Sequence, residues 1–401
     1  MYQKIAVAVD NSPDSGCAES LALQIARASG GSVTGVHAFT GRFHRSRFKA
    51  LEGHLPEQYQ KEEITEHQRS VHSVLIDRGL ELISAEYMKS LGDRCRSSRV
   101  PFTERIVDGK NADVIIEASG ECDCMVMGAE GLGRTGGISR IGSNTRRMLR
   151  HGKSDLLIAR QDRNIRTILA CIDGSREAYS MVGKAADLAG LLGGSLTIAA
   201  SFDPHLHKTV FGSLSTVLSE DASQVFKFSE QEKLHNEIID RSLEDLYSGY
   251  LDKALTIARQ RGITADPALL QGKPFKAVCS IADKTQTDLI VVGRTGMHRG
   301  KYSDIGSNAE NIAELAGTNV LIVTGDTRDE SPENGIQEHP VGVQPLKSGI
   351  SWDDEAKKRL ERVPAFARPM AVMAIERFAQ ENGHSVITPK IMDLAREKLG
   401  I

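Results

Sequence analysis

Aromatic residues are scarce in this sequence, at 5% of 401 positions with one tryptophan. That leaves little material for the base-stacking platforms of single-strand nucleic-acid binders. Neither sign of charge dominates, because the formal net charge is −3, so no overall field draws the chain to nucleic acid or to an anionic membrane. Apolar runs stay well short of the roughly 18 residues that signal a membrane span. The opening Met1-Tyr2-Gln3-Lys4-Ile5 leads straight into a strand pattern and lacks the apolar core of a signal peptide, so a cytoplasmic protein is expected. Cysteines stand at positions 17, 95, 122, 124, 171 and 279, with no Cys-x-x-Cys pair and no disulfide framework. Reduced, small buried thiols are the expectation, Cys122 and Cys124 included.

Catalytic signatures are missing too. There is no G-x4-G-K-(S/T) phosphate loop and no G-x-S-x-G elbow. His37, His44, His54, His67 and His72 lack the spacing of metal ligands. With no paired acid and base, neither a catalytic residue nor a metal ligand is assigned, and binding with at most slow hydrolysis is expected.

What the chain does contain is a repeat. Ile5-Ala6-Val7-Ala8-Val9-Asp10 returns as Ile168-Leu169-Ala170-Cys171-Ile172-Asp173, an offset of 163. Gly128 and Gly131 return as Gly293 and Gly296, and Gly142-Ser143-Asn144 as Gly306-Ser307-Asn308. Near-constant offsets over this length mean duplication. Each copy opens with a β-branched run ending in Asp, continues with a helix that stops at paired glycines, and goes on alternating strands with helices. That alternation predicts α/β architecture, with two doubly wound parallel sheets of Rossmann-like type in tandem. The domains expected are 1–162 and 163–326, then a polar, breaker-rich linker over 327–350, then a small three-helix domain over 351–401. In that last domain Ser351 is expected to cap a helix starting at Trp352, a second helix to run over about 367–382, and Thr388-Pro389 to start a third.

The glycine segment carries the chemistry. Gly293-Arg294-Thr295-Gly296 is followed by nine residues and then Gly306-Ser307-Asn308, between a buried strand and a helix. Glycines let backbone N–H groups approach phosphate oxygens, and a helix N-terminus adds favourable potential. Arg294, His298, Arg299 and Lys301 bring positive charge, and Asp173 stands at the end of the first strand. Such a run is also compatible with a plain tight loop, and the Asp with a helix cap. Recurrence of Asp, glycine segment and Gly-Ser-Asn in both copies favours ligand binding.

The pattern resembles the ATP-binding branch of the universal stress proteins over residues 1 to about 326. The resemblance implies that Asp173 and Gly174 contact the adenosine end and that Ala199 lines the base pocket. It also implies that Gly293, Arg294, Gly296, Gly306, Ser307 and Asn308 cradle ribose and phosphates of ATP, with Mg²⁺ as its companion ion. Asp10, Asn11, Val36, Gly128, Gly131, Gly142, Ser143 and Asn144 hold the matching positions of the first copy. That copy departs twice, with Asn11 in place of Gly and ten residues in place of nine before Gly142. Whether it binds nucleotide is open at this point. Arg134, Arg140, Arg146, Arg147 and Arg150 crowd it, suiting polyphosphate, a solvated face or an acidic pairing surface. The resemblance further implies a nucleotide-dependent stress-response regulator whose copies pair through their last strands as an internal pseudo-dimer, with a homo-oligomer as an added form.

The tail pattern Trp352…Ala356…Leu360…Val363-Pro364…Phe366…Ile375-Glu376…Ala379…Gly383…Ile387-Thr388 resembles the small C-terminal domain of a light-independent protochlorophyllide reductase component, its B polypeptide. A docking module for a protein partner over 351–401 is what this implies. A scaffold acting through that tail without nucleotide is the alternative reading.

Overall fold

The computed structural model describes residues 1–59, 61–133, 141–203, 240–297, 304–325 and 351–360, together with 372, 375, 376, 378, 379 and 382–399. In the first copy β1 (Lys4–Ala8), β2 (Ser32–Phe39), β3 (Phe102–Asp108), β4 (Cys124–Gly128) and β5 (Asp155–Ala159) alternate with helices. These are α1 (Pro13–Ser29), α2 (Gly41–Leu51), α3 (Glu62–Ser97), α4 (Asn111–Ser119) and α5 (Ser143–His151). The second copy repeats the plan with β6 (Thr167–Ile172), β7 (Ser195–Phe202), β8 (Ala265–Gln271), β9 (Leu289–Gly293) and β10 (Asn319–Val323). Its described helices are α6 (Arg176–Leu192), α7 (Asp240–Gln260), α8 (Pro274–Lys284) and α9 (Ser307–Leu315).

Local chemistry sets the ends of the first helices. Ser12 and Ser175 take their N-caps, each side-chain oxygen accepting a backbone N–H three residues on at 3.1 Å. A cap of this kind is worth about 1 kcal/mol.

All ten strands join one sheet in the order β3-β2-β1-β4-β5-β10-β9-β6-β7-β8. Pairing is parallel within each copy and antiparallel between β5 and β10, where Leu157 faces Leu321. Every residue of these two strands is buried, as continuous apolar runs in a sheet covered on both faces require. Both ends of this ladder are locked alike. Thr324 N–H donates to Asp155 Oδ1 at 2.8 Å, and Arg160 N–H donates to Asn319 Oδ1 at 2.8 Å.

The basic residues of α5 resolve the earlier alternative. Arg146 Nη2 donates to Glu314 at 2.8 Å, while Arg150 pairs with Glu310 and lies 3.6 Å from Asp304. These are contacts between the copies, so both arginines serve as a pairing surface. Arg147 is exposed, and Arg134 and Arg140 lie outside the described residues.

The C-terminal unit has its own small core of Ala356, Ile375, Phe378, Ala379, Ile387, Met392 and Ala395. The helix expected from Trp352 begins instead as α10 (Asp354–Leu360), because β11 (Ser351–Trp352) pairs in parallel with β12 (Val386–Ile387). A two-residue strand leaves no periodicity in sequence, so only the long-range pairing decides it. Trp352 Nε1 donates to Glu376 at 2.8 Å, and α11 (Pro389–Leu399) starts at the expected proline. Much of the middle helical run, and the whole linker 327–350, lie outside the described residues.

Candidate functional site

A cavity of roughly 710 Å³ opens at the carboxyl ends of β6, β7 and β9, the crevice where doubly wound sheets bind ligands. Asp173 ends β6, Ala199 comes from β7, Gly293 and Gly296 follow β9, and Gly306, Ser307 and Asn308 open α9; all of them line it. The N-cap of α9 is Gly306, with no side chain capping the helix. Its first N–H groups therefore have no side-chain acceptor of their own, which suits an anion.

The geometry explains why this turn needs these residues. Asp173 Oδ1 accepts from Ser175 N–H at 3.0 Å and Ser175 Oγ–H at 2.6 Å, while Oδ2 accepts from Met297 N–H at 2.7 Å. The carboxylate thus ties the end of β6 to the glycine segment. A Cβ on Gly296 would stand 2.1 Å from Asp173 Oδ2, so no larger residue fits that clasp. Gly174 has φ +85°, and a Cβ there would meet the Tyr250 ring at 2.6 Å. It shapes the turn and is absent from the lining.

Arg294 also differs from its expected place. Its Nη1 donates to the Gly152 carbonyl of the first copy at 2.7 Å, and it does not line the cavity. Its Nε and Nη2 are buried without a hydrogen-bond partner, and burial draws the guanidinium below its usual value. His298, Arg299 and Lys301 lie outside the described residues.

The first copy repeats the clasp. Ser12 N–H donates to Asp10 Oδ1 at 3.0 Å and Leu132 N–H to Asp10 Oδ2 at 3.3 Å. Asn11 replaces Gly174 and adopts φ +60°, a left-handed conformation that Asn tolerates better than most residues. That substitution is therefore conformationally equivalent. Gly142 N–H donates to Ala129 O at 2.7 Å, as Gly306 N–H does to Arg294 O at 2.8 Å. Gly128 O accepts from Thr145 Oγ1 at 3.0 Å. Val36 is buried on β2, Ser143 and Asn144 open α5, and Gly131 faces the Asp10 carboxylate. The extra residue of this copy falls in the neighbourhood of 134–140, outside the described residues.

Sequence reasoning missed Phe202, Leu243 and Tyr247, which form a wall of the second cavity. The two last come from α7, far along the chain in a long polar segment, where nothing local marks a pocket residue. Tyr179, Tyr247 and Tyr250 gather nearby, with phenols raised chiefly by burial and further by the charge of Asp173. Phe275 and Cys279 on α8 pack against the core beneath the cavity. Burial pushes the thiol of Cys171, on the cavity floor, far above its usual value. Among the described residues no cluster of His, Cys, Asp and Glu could hold a metal ion, and no helix is long and apolar enough to cross a membrane.

The fold and the cavity define a tandem α/β protein with a crevice at the carboxyl edge of its sheet. The universal stress protein family matches residues 1–160 and again 164–324. The chain belongs to that family. Residues 352–396 match a second family, the proto-chlorophyllide reductase 57 kD subunit. The solved structure of a functionally unknown protein from Pseudomonas aeruginosa covers 81% of this chain and 93% of its own, with TM-score 0.50 and 15% identity. At that identity the likeness concerns the fold alone. The B polypeptide of light-independent protochlorophyllide reductase from Chlorobium limicola is 29% identical over 100 residues, 25% of this chain and 17% of that protein. Its counterpart from Rippkaea orientalis is 42% identical over 143 residues, 35% of this chain and 23% of that protein. The chain thus spans less than a quarter of the length of either relative.

Proposed function

We propose that this chain is a regulatory adenine-nucleotide-binding protein, with ATP and its Mg²⁺ in the second-copy cavity and no dedicated catalytic site. Occupancy alters the surface or assembly of the protein, and a protein partner reads the change. One observation carries this reading. Asp173, Ala199, Gly293, Gly296, Gly306, Ser307 and Asn308, scattered over the second copy, line a single cavity. Its volume is in the range of small-molecule sites, roughly 300–1,000 Å³. In this arrangement Ala199 faces the base, Asp173 the ribose, and the glycine segment with the start of α9 the phosphates.

The decisive experiment denatures freshly purified protein and identifies any released nucleotide by chromatography. ATP or ADP supports the reading. An empty protein that also takes up no added ATP would sink it.

A second reading has its own observation. The C-terminal unit has a separate core and matches a separate family, as a docking module would. Here the tail is the working surface and nucleotide is irrelevant. A pull-down in which the chain lacking residues 327–401 keeps every partner would rule this out.

A further inference from the structure

The second cavity has an aromatic wall that the first copy reproduces only in part, with Phe39 at the place of Phe202 and no aromatic ring at the place of Tyr247. Tyr247 on α7 lies against Phe202 at the end of β7, with ring centroids 5.8 Å apart and planes inclined by 38°. Both rings line the cavity beside Asp173 and Ala199. Tyr250, on the same helix, stands edge-on to Tyr247 at 5.3 Å and 61°. Because Tyr250 is itself packed on Gly174, the Tyr247 ring is braced between two neighbours rather than free to swing.

The helices α3 and α7 are equivalent at an offset of 163, since Val100 N–H closes α3 on Cys95 O and Ile263 N–H closes α7 on Ala258 O. On that offset Tyr250 answers to Tyr87, but Tyr247 answers to Ser84. The Ser84 hydroxyl is turned into its own helix, donating to Leu80 O at 2.7 Å. The glycine segments diverge as well. Thr295 lines the second cavity, whereas Glu130 holds its place in the first copy, where its N–H donates to the Asp14 carboxylate at 3.0 Å. The first segment therefore carries a glutamate where the second has an uncharged threonine, a difference that disfavours a phosphate chain in the first copy.

Resting on the nucleotide reading of this cavity, we infer that Tyr247 is a specificity-determining residue: its braced ring stacks the base of a purine nucleotide, and the chain binds one such nucleotide, in the second copy. A flat ring on a mostly apolar wall, between the end of β7 and Asp173, offers a face to the base. Stacking grows with ring overlap, so a two-ring base gains more than a one-ring base. Removing an aromatic partner of this kind weakens binding by roughly 5- to 150-fold.

The test is equilibrium dialysis of the full chain against radiolabelled ATP and CTP, for wild type, Tyr247→Phe and Tyr247→Leu. Circular dichroism melts establish that the variants are folded. The expected result is one ATP per chain and a preference for ATP over CTP, both kept in Tyr247→Phe. In Tyr247→Leu ATP affinity falls by roughly 10-fold or more and CTP affinity far less, so the preference collapses. A folded Tyr247→Leu that binds ATP as tightly as wild type overturns the stacking role, and two equivalents of ATP in the wild type overturn the single site. Should the leucine variant not fold, equal wild-type affinities for ATP and CTP overturn the stacking role on their own. In each of these cases the wild type still binds ATP, and the nucleotide reading survives. A wild type that takes neither nucleotide overturns both together.

Discussion

Asp173 accepts the backbone N–H of Met297 at 2.7 Å, and that one contact joins the end of the first strand of the second copy to its glycine segment. The same carboxylate orders the Ser175 turn, so a single side chain shapes both lips of the cavity. Asp173→Ala should therefore cost nucleotide affinity at least 10-fold while lowering stability by only about 1–3 kcal/mol, the scale of a hydrogen bond to a charged group. Titration calorimetry alongside thermal melts checks both. Full affinity in a folded Asp173→Ala would remove the clasp from the binding account.

Gly296→Ala probes the same clasp from the other side. A Cβ placed 2.1 Å from Asp173 Oδ2 forces the carboxylate or the segment to move. ATP binding should be lost in this variant and retained in Gly249→Ala, where a Cβ meets nothing within 4 Å. Dialysis with labelled ATP separates the two outcomes.

The seam between the copies rests on a buried carboxylate. Asp155 accepts from Tyr2 Oη at 2.7 Å, Lys184 Nζ at 2.7 Å and Thr324 N–H at 2.8 Å. Asp155→Ala strands those donors, although Lys184 is part-exposed and can reach water. The expected loss is roughly 2–3 kcal/mol, below the 3–5 kcal/mol of a fully buried broken pair. Urea unfolding measures it. Because β5 and β10 belong to one continuous sheet, both copies should unfold together, and two resolved transitions in that sheet would contradict this.

Alkaline pH should destabilise the protein through its buried thiols. Burial pushes Cys95 up to about 11 and Cys124 well above its usual value, whereas an unfolded thiol ionises near 8.5. As pH rises the unfolded chain loses these protons first, so stability is intact below about pH 8.5 and is lost on the way up through pH 11. The slope per thiol is on the order of 1.4 kcal/mol per pH unit. Urea midpoints at pH 7.5 and 10.5 give the slope, and Cys95→Ala should flatten it.

The strands and most helices were legible because β-branched runs, paired glycines and the capping Ser12 and Ser175 act locally. Asp173 and the glycine segment were legible as a motif because the duplication shows them twice. Arg294 and Arg150 were not placed by sequence. An arginine in a glycine segment or a basic cluster carries no mark of whether it faces a ligand or a neighbouring strand, and here Gly152 O and Glu310 decide it. Tyr247 was invisible for a related reason, since a tyrosine on a polar helix becomes a pocket wall only when that helix packs beside β7.

The sequence by itself determined the duplication, which is read by matching one stretch of chain to another, and the alternating α/β plan and the turn chemistry at Asp10 and Asp173, which depend on residues close together in the chain. Only the tertiary structure decided the antiparallel register of the β5–β10 seam, whose last-strand pairing the family resemblance had implied, the use of Arg146 and Arg150 as ties between the copies, and the aromatic wall of the second cavity. Those features join residues 40 to 170 positions apart, and no local pattern records which distant surface a side chain will meet.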